Sequence, residues 1–443
     1  MCNPTPSRNS GLRRLLTIAA GAGLLALAQT GSASADTQKT LHSFCSEANC
    51  KDGDVPRDGL LMDSSGNLYG TTEFGGKYNK GIVFKFIPNA NKTKYTEHIL
   101  WSLCKKAGCP FGAYPDSDLI TDVDGNLYGT TEGGGAHTEG AVFKMRPVAN
   151  GWVISVIHSF CGQPPDCPDG GVPAGRLAYA GQSSGAAWDE TSPLFGTANT
   201  GGSKNKGIVY ELSPNGPHWD FKVLHSFNPS TDFAYPGPLL VDPSGNLFGV
   251  TLMGAKFGGG ALYKLAAGSW TETTLHNFCA EANCTDGNGG IGKLAIDAAG
   301  NIFGTAIEGG SGANCPEPDG CGVAFEHTAG GKYKVIYDFC SKNNCNDGSE
   351  PSAGLDIEAD GTLIGTSHIG GTQGSGAVFT LSHGNTWTEQ TLYSFCSEQN
   401  CVDGAHPTAP VIVDKNGDVF GTASDFGAYG VSGSGGTVFR LKP

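Results

Sequence analysis

The chain has 443 residues, a formal charge of -14, only 16% charged residues, and 69 glycines beside 24 prolines. An acidic surface repels phosphate backbones and anionic lipids, which argues against nucleic acid or membrane partners and makes highly acidic polysaccharides poor ones. So many turn formers with so few charges leave little surface helix, and short alternating apolar segments between Gly, Asn, Asp and Pro point to an all-β chain.

The first segment reads as an export signal. Arg13 and Arg14 precede an apolar run over residues 15–28, and Ala33-Ser34-Ala35 offers a cleavage site. A secretory signal peptide is therefore expected over residues 1–35, with one domain over 36–443 and general secretion preferred to the twin-arginine route. Cys2 falls inside the removed segment and has no lipoprotein context. Losing Arg8, Arg13 and Arg14 takes the charge to about -17. No later run is apolar for long enough to cross a bilayer, so a soluble periplasmic or extracellular protein is expected.

Residues 39–44 (KTLHSF) then form a strand with no partner nearby in sequence. Four short strands follow: residues 59–64, 67–73, 81–87 and 95–103. The second carries the phrase NLYGTTE, and that phrase recurs down the chain as LYGTTE, LFGTAN, LFGVTL, IFGTAI, LIGTSH and VFGTAS. Its central glycines are Gly70, Gly129, Gly196, Gly249, Gly304, Gly365 and Gly421, at intervals of 59, 67, 53, 55, 61 and 56 residues. Seven four-stranded units predict a seven-bladed β-propeller. The last unit ends at residues 437–443 with only three strands. The orphan strand at residues 39–44 would complete it and close the ring, which removes two open sheet edges.

The phrase itself reads as scaffold. Asp63-Ser64-Ser65-Gly66-Asn67 and Asp122-Val123-Asp124-Gly125-Asn126 are hairpin turns. Tyr69, Tyr128, Phe195, Phe248 and Phe303 are expected to pack between blades, and the glycine after each to leave room for a neighbouring backbone. A calcium-loop reading fails because no glutamate follows at the twelfth position.

The units GNLYGTT..GG....G.VFK and SFC....C.DG..P..GL resemble the tandem repeat called GloVer, over nearly the whole chain after residue 35. The resemblance implies an exported bacterial repeat protein and assigns no activity. Unlike anchored members, this sequence ends at Pro443 without a sorting tail, so release as a soluble protein is expected. PRDGLLMDSSGNLYGTT is more loosely similar to NHL-type and streptogramin-lyase-like propellers, whose catalytic motifs map to no position here.

Beyond the signal, fourteen cysteines sort into close pairs: Cys45 with Cys50, Cys104 with Cys109, Cys161 with Cys167, Cys279 with Cys284, Cys315 with Cys321, Cys340 with Cys345, and Cys396 with Cys401. Even numbers and short regular spacing in an exported chain predict disulfides within each loop. Zinc is the rival, but the pairs stand on separate blades. All the paired loops would emerge on one face. The third unit alone carries an insertion, residues 181–192, on the other face, and the loop after Phe227 lacks cysteines.

Functional groups should break the repeat. The end of the second strand varies most, and Glu73, Glu132, His368 and Asp425 come from neighbouring blades of a closed ring. They are the candidates for acid–base chemistry, with Asn199 and Glu308 as candidate ligand contacts. Polar side chains at strand ends are also commonly just solvated. His42, His158, His225 and His276 share a slot with Trp101, Tyr337 and Tyr393 and are read as packing residues. No metal and no cofactor are expected. Three functions remain: a monomeric binding propeller whose stiff loops meet a glycan, a peptide or an envelope protein, a lyase or glycoside hydrolase, and structural filler of an envelope assembly that takes no ligand. Trp101, Tyr78, Phe111, Tyr114 and Phe233 are candidate stacking platforms.

Overall fold

The computed structural model describes residues 37–228 and 233–442, with the Phe233 side chain left aside. The predicted signal peptide (1–35), with Cys2, lies outside the described residues. So does most of the cysteine-free loop after Phe227. Seven antiparallel sheets, one per unit, form the blades of a β-propeller. Among the described residues the only helical elements are four three-residue 3-10 turns. No helix there is long and apolar enough to cross a membrane.

Blade 1 shows the pattern, running from the centre outward through Leu61–Met62, Leu68–Thr72, Ile82–Pro88 and Tyr95–Ser102. Every residue of Leu68–Thr72 is buried, because its two faces meet the two neighbouring blades. Ring closure occurs as expected. Thr37–Ser43 runs antiparallel to Thr437–Lys442, from Thr37 opposite Lys442 to Ser43 opposite Thr437. Phe44 follows it into a core with Phe84, Phe86 and Phe420.

The repeated phrase is scaffold, with its parts assigned differently than expected. Asp63 Oδ1 accepts the N–H groups of Ser65 and Asn67, and its Oδ2 accepts Asn67 Nδ2 at 2.7 Å and the Tyr69 hydroxyl at 3.1 Å. The turn is thus built around the aspartate, and Asp122, Asp242 and Asp297 repeat it. Tyr69 packs between blades 1 and 2 with Val83, Leu119 and Phe143. The glycine after it leaves room for a ring of its own blade, not for a neighbouring backbone. A Cβ on Gly70 would stand 2.5 Å from Phe84 Cζ. Close approach between blades belongs instead to the glycine that opens the third strand in six of the seven blades. A Cβ on Gly81 would meet Pro115 Cδ of the next blade at 2.5 Å, and Gly140, Gly207, Gly322, Gly376 and Gly436 face Pro173, Pro236, Pro351, Pro407 and Pro56 in the same way.

All seven predicted disulfides form. Closing loops this short stabilises by only about 2 kcal/mol each in the chain-entropy picture. An aspartate two residues after the second cysteine adds to the stiffness. Asp347 is fully buried and accepts the N–H groups of Ser341 and Lys342 together with the Tyr337 hydroxyl. Asp403 does the same with Ser397, Glu398 and Tyr393. Where the slot holds Trp101 the loop carries Phe111 instead, and the two rings meet edge to face. The insertion in unit three is anchored by Trp188, which is buried against Tyr128 and Trp219.

Candidate functional site

The innermost strand does not run straight, and this creates the site. Leu61–Met62 is all that remains of the expected strand 59–64, because the residue before the repeated proline takes a left-handed backbone. Val55, Tyr114, Val172, Tyr235, Glu350 and His406 have φ between 51° and 57°, and Gly289 holds the place in blade 5. This conformation costs a non-glycine residue on the order of 1 kcal/mol. Each kink turns the next few residues toward the propeller axis. They surround a central cavity of about 840 Å³.

On the side of blades 1 and 2 the wall is acidic. Arg57 and Asp116, each following its proline, reach the cavity beside Asp58 and Asp118. Arg57 Nε lies 3.1 Å from Glu73 Oε2. Asp58 Oδ2 accepts the Thr71 hydroxyl at 2.6 Å, and Asp118 Oδ1 accepts the Gly59 N–H at 2.6 Å. Asp116 and Glu132 lie close enough to shift each other's titration. Burial raises Asp58 well above the usual carboxylate range, with Asp116 and Asp118 adding to it. Burial also raises Glu73, against the pull of Arg57. Glu132 is pushed up to about 7 by burial, then by Asp116 and Glu73. Five carboxyls thus gather on this side of the cavity, and the Arg57 guanidinium pulls on three of them, Glu73, Asp116 and Glu132, against the burial that raises them.

Blades 6 and 7 present a different group. His368 Nδ1 lies 3.1 Å from Glu350 Oε2, and His406 Nδ1 lies 2.9 Å from Asp425 Oδ2. The two imidazole rings are 5.1 Å apart. Burial works to raise Asp425, but the hydrogen bond with His406 and the positive character of both histidines hold it below its ordinary value. Each histidine is oriented through one ring nitrogen by a carboxylate, leaving the other nitrogen for a ligand.

The four sequence candidates are therefore brought together as two pairs, Glu73 with Glu132 and His368 with Asp425. Glu308 receives the Asn288 side-chain N–H at 2.7 Å and is raised by burial, Asp319 and Glu350, so it extends the second group. Asn199 is half-buried on blade 3 and is a hydrogen-bond partner of neither group. Sequence reasoning missed Arg57, Asp58, Asp116, Asp118, Glu350 and His406. The signal was there: the positions flanking the repeated proline, which is Gly290 in the fifth unit, read Val-Arg, Tyr-Asp, Val-Ala, Tyr-Gly, Gly-Ile, Glu-Ser and His-Thr across the units. Of the proposed platforms, Trp101 and Phe111 pack on each other and Tyr114 lies against Phe74, while the Phe233 side chain lies outside the description. The packing reading of the slot histidines fits the contacts. His158 stacks on Phe221 and His276 on Tyr333, and His225 meets Phe227 edge to face.

A pH prediction follows from Glu132. Between its ordinary 4.5 and about 7 the folded chain holds a proton that the unfolded chain has released. Stability therefore falls as pH rises through that window and stays lowered above it. Glu132→Gln is expected to stabilise the protein at pH 8 by roughly 1–2 kcal/mol, after discounting for its solvent-facing side, and by no more than about 0.4 kcal/mol at pH 4.5. Urea denaturation at the two pH values checks this; an equal effect at both would remove the proton from the account.

Among solved structures the chain is similar to a fungal alcohol oxidase of the AA5 family in complex with copper, at 13% identity and TM-score 0.52, covering 92% of this chain and 77% of that one. It is also similar to an oligogalacturonate lyase from Vibrio parahaemolyticus, at 11% identity and TM-score 0.50, covering 92% and 96%. At these identities the likeness is one of fold. No curated protein matches the chain. The sequence pattern of the Gloeobacter/Verrucomicrobia repeat matches residues 27–188 and 182–315. With that pattern covering more than half of its length, and the same units continuing to blade 7, this propeller belongs to the Gloeobacter/Verrucomicrobia repeat family.

Proposed function

We propose that the protein is an exported binding propeller that takes the end of a neutral glycan into its central cavity from the disulfide-bearing face. One observation carries the reading: the crowd of carboxyls around Arg57, with a cavity of about 840 Å³ in front of it. Carboxylates accept hydrogen bonds from sugar hydroxyls, Arg57 and the oriented imidazoles donate them, and the negative field disfavours uronates and sulfated chains. Stiff loops lower the ordering cost of binding. Seven disulfides suit an oxidising compartment, periplasm or medium. Tyr429, 61% exposed on the loop between the second and third strands of blade 7, is a better stacking platform than the residues named from sequence.

A catalytic reading is favoured by Glu132 alone, since a carboxyl held near 7 beside a second one can give and take a proton. Binding is put first because a glycosidase needs two carboxyls at ~5–5.5 or 6.5–9.5 Å with separate acid and base roles, and no such pair is assigned among these five. Calorimetry against neutral and acidic oligosaccharides, with product ends assayed in parallel, decides between them. Asp116→Ala is expected to weaken neutral-glycan binding by about tenfold or more. Turnover abolished by Glu132→Gln would establish the enzyme. Preference for acidic chains, or capture of an envelope protein with no glycan bound, would defeat the proposal.

A further inference from the structure

Five of the seven seams between outer strands repeat one arrangement. A side chain from the slot before the disulfide loop meets the loop aspartate on one side and the next blade's fourth strand on the other. In two seams the facing residue is aromatic and stacks flat on the imidazole, Phe221 on His158 at 3.8 Å and Tyr333 on His276 at 3.5 Å. In another, Glu389 faces Tyr337 and is neutralised by Lys342, two residues after Cys340.

The seam where blade 7 meets blade 1 departs from these. His42 lies on the ring-closing strand, and Glu97 projects toward it from blade 1. His42 Nε2 is 3.5 Å from Asp52 Oδ2 and 3.7 Å from Glu97 Oε2. One ligand atom from each of the three falls within a 4.8 Å group. His42 Nε2 and Glu97 Oε1 are both buried without a hydrogen-bond partner. The place of the neutralising lysine, two residues after the first cysteine, is taken here by Glu47. A buried carboxylate has lost its stacking aromatic and its counter-charge together.

We propose that His42, Asp52 and Glu97 bind a divalent cation of the zinc class at this seam. Ligand atoms about 2.0–2.1 Å from a tetrahedral ion stand roughly 3.3–3.5 Å apart, so the two separations from His42 need at most a few tenths of an ångström of contraction, and the carboxylates lie within 4.8 Å of each other. One imidazole and two carboxylates suit zinc better than calcium, which prefers six or more oxygens. Asp52 is already oriented by the N–H groups of Ser46 and Glu47 and by the Ser46 hydroxyl. The side chains of His42 and Glu97 are 17% and 16% exposed, enough for an ion and a water to enter. Such an ion would bolt the closing strand to the first blade, tying metal binding to ring stability.

The test is a titration of chelator-stripped, desalted protein with zinc chloride, read by calorimetry and by thermal unfolding. His42→Tyr keeps the fold, because Tyr337 and Tyr393 fill the same slot and donate to the loop aspartate. Glu97→Gln keeps the shape of the third ligand. One equivalent is expected to bind and to raise the unfolding temperature, and both variants should lose that equivalent by at least about a hundredfold in affinity. His368→Asn should leave it intact. No binding by the unaltered protein, binding retained by both seam variants, or loss through His368→Asn would each overturn the proposal.

Discussion

A chain shortened to begin at Cys45 is expected to fail as a stable monomer. The missing Thr37–Ser43 supplies the whole outer strand of blade 7, with partners from Lys442 to Thr437. Its loss strips one side from Thr437–Lys442, where Val438, Phe439 and Leu441 are at most 1% exposed. It also removes Leu41 and the wholly buried Phe44 from the core they share with Phe84 and Phe86. The lost ladder hydrogen bonds contribute about 0.5–1.5 kcal/mol apiece, and burial of Phe44 adds about 2–3, with a smaller share from Leu41. Together these approach the 5–15 kcal/mol that holds a typical domain folded. The bared edge is then a template for other chains. Size-exclusion chromatography and thermal melting should show oligomers or aggregate in place of a cooperative monomer. A synthetic peptide of residues 37–44, added in trans, should restore part of the monomer. A shortened chain that stays monomeric with an unchanged melting temperature would mean that closure is incidental to stability.

That expectation was legible from the ends of the sequence, because a three-strand last unit and an orphan first strand are complementary only in a ring. The disulfides were legible for a similar reason: spacing alone allowed one local partner for each cysteine. The site was only half legible. Glu73, Glu132, His368 and Asp425 were found at the ends of second strands, where the phrase gives a firm register. Arg57, Asp116, Glu350 and His406 lie on the innermost strand, where the proline kink breaks the alternation that register is read from. The two sets interleave only once the chain is folded. The seam pairs could have been read by covariation within the chain. Aspartate follows the cysteines where the slot holds His or Tyr, and Phe111 follows where it holds Trp101.

The glycine of the repeated phrase offers the sharper test of how this sequence specifies its blades. Gly70 is not among the residues with a left-handed backbone, so alanine could adopt its conformation. Its cost is one of space. The added Cβ would lie 2.5 Å from Phe84 Cζ and 3.2 Å from Leu60 Cδ2, and Phe84 is wholly buried among Phe44, Phe86 and Ile82. The same clash recurs at Gly129 with Phe143, Gly304 with Phe325 and Gly421 with Phe439, at 2.6–2.8 Å. Gly70→Ala is expected to destabilise by about 2–3 kcal/mol, the upper part of the range for overpacking. Phe84→Leu alone should cost about 1–2 kcal/mol through the space it leaves. Combined, the two should cost less than their sum by at least 1 kcal/mol, since the smaller side chain vacates the room the methyl needs. Gly125→Ala is the contrast, because its φ of 79° is left-handed and no atom lies within 4 Å of a Cβ there. That substitution should cost about 1 kcal/mol of backbone strain and gain nothing from Phe84→Leu. Additive costs for Gly70→Ala and Phe84→Leu in urea denaturation would show that the phrase keeps its glycine for some reason other than the ring it shelters.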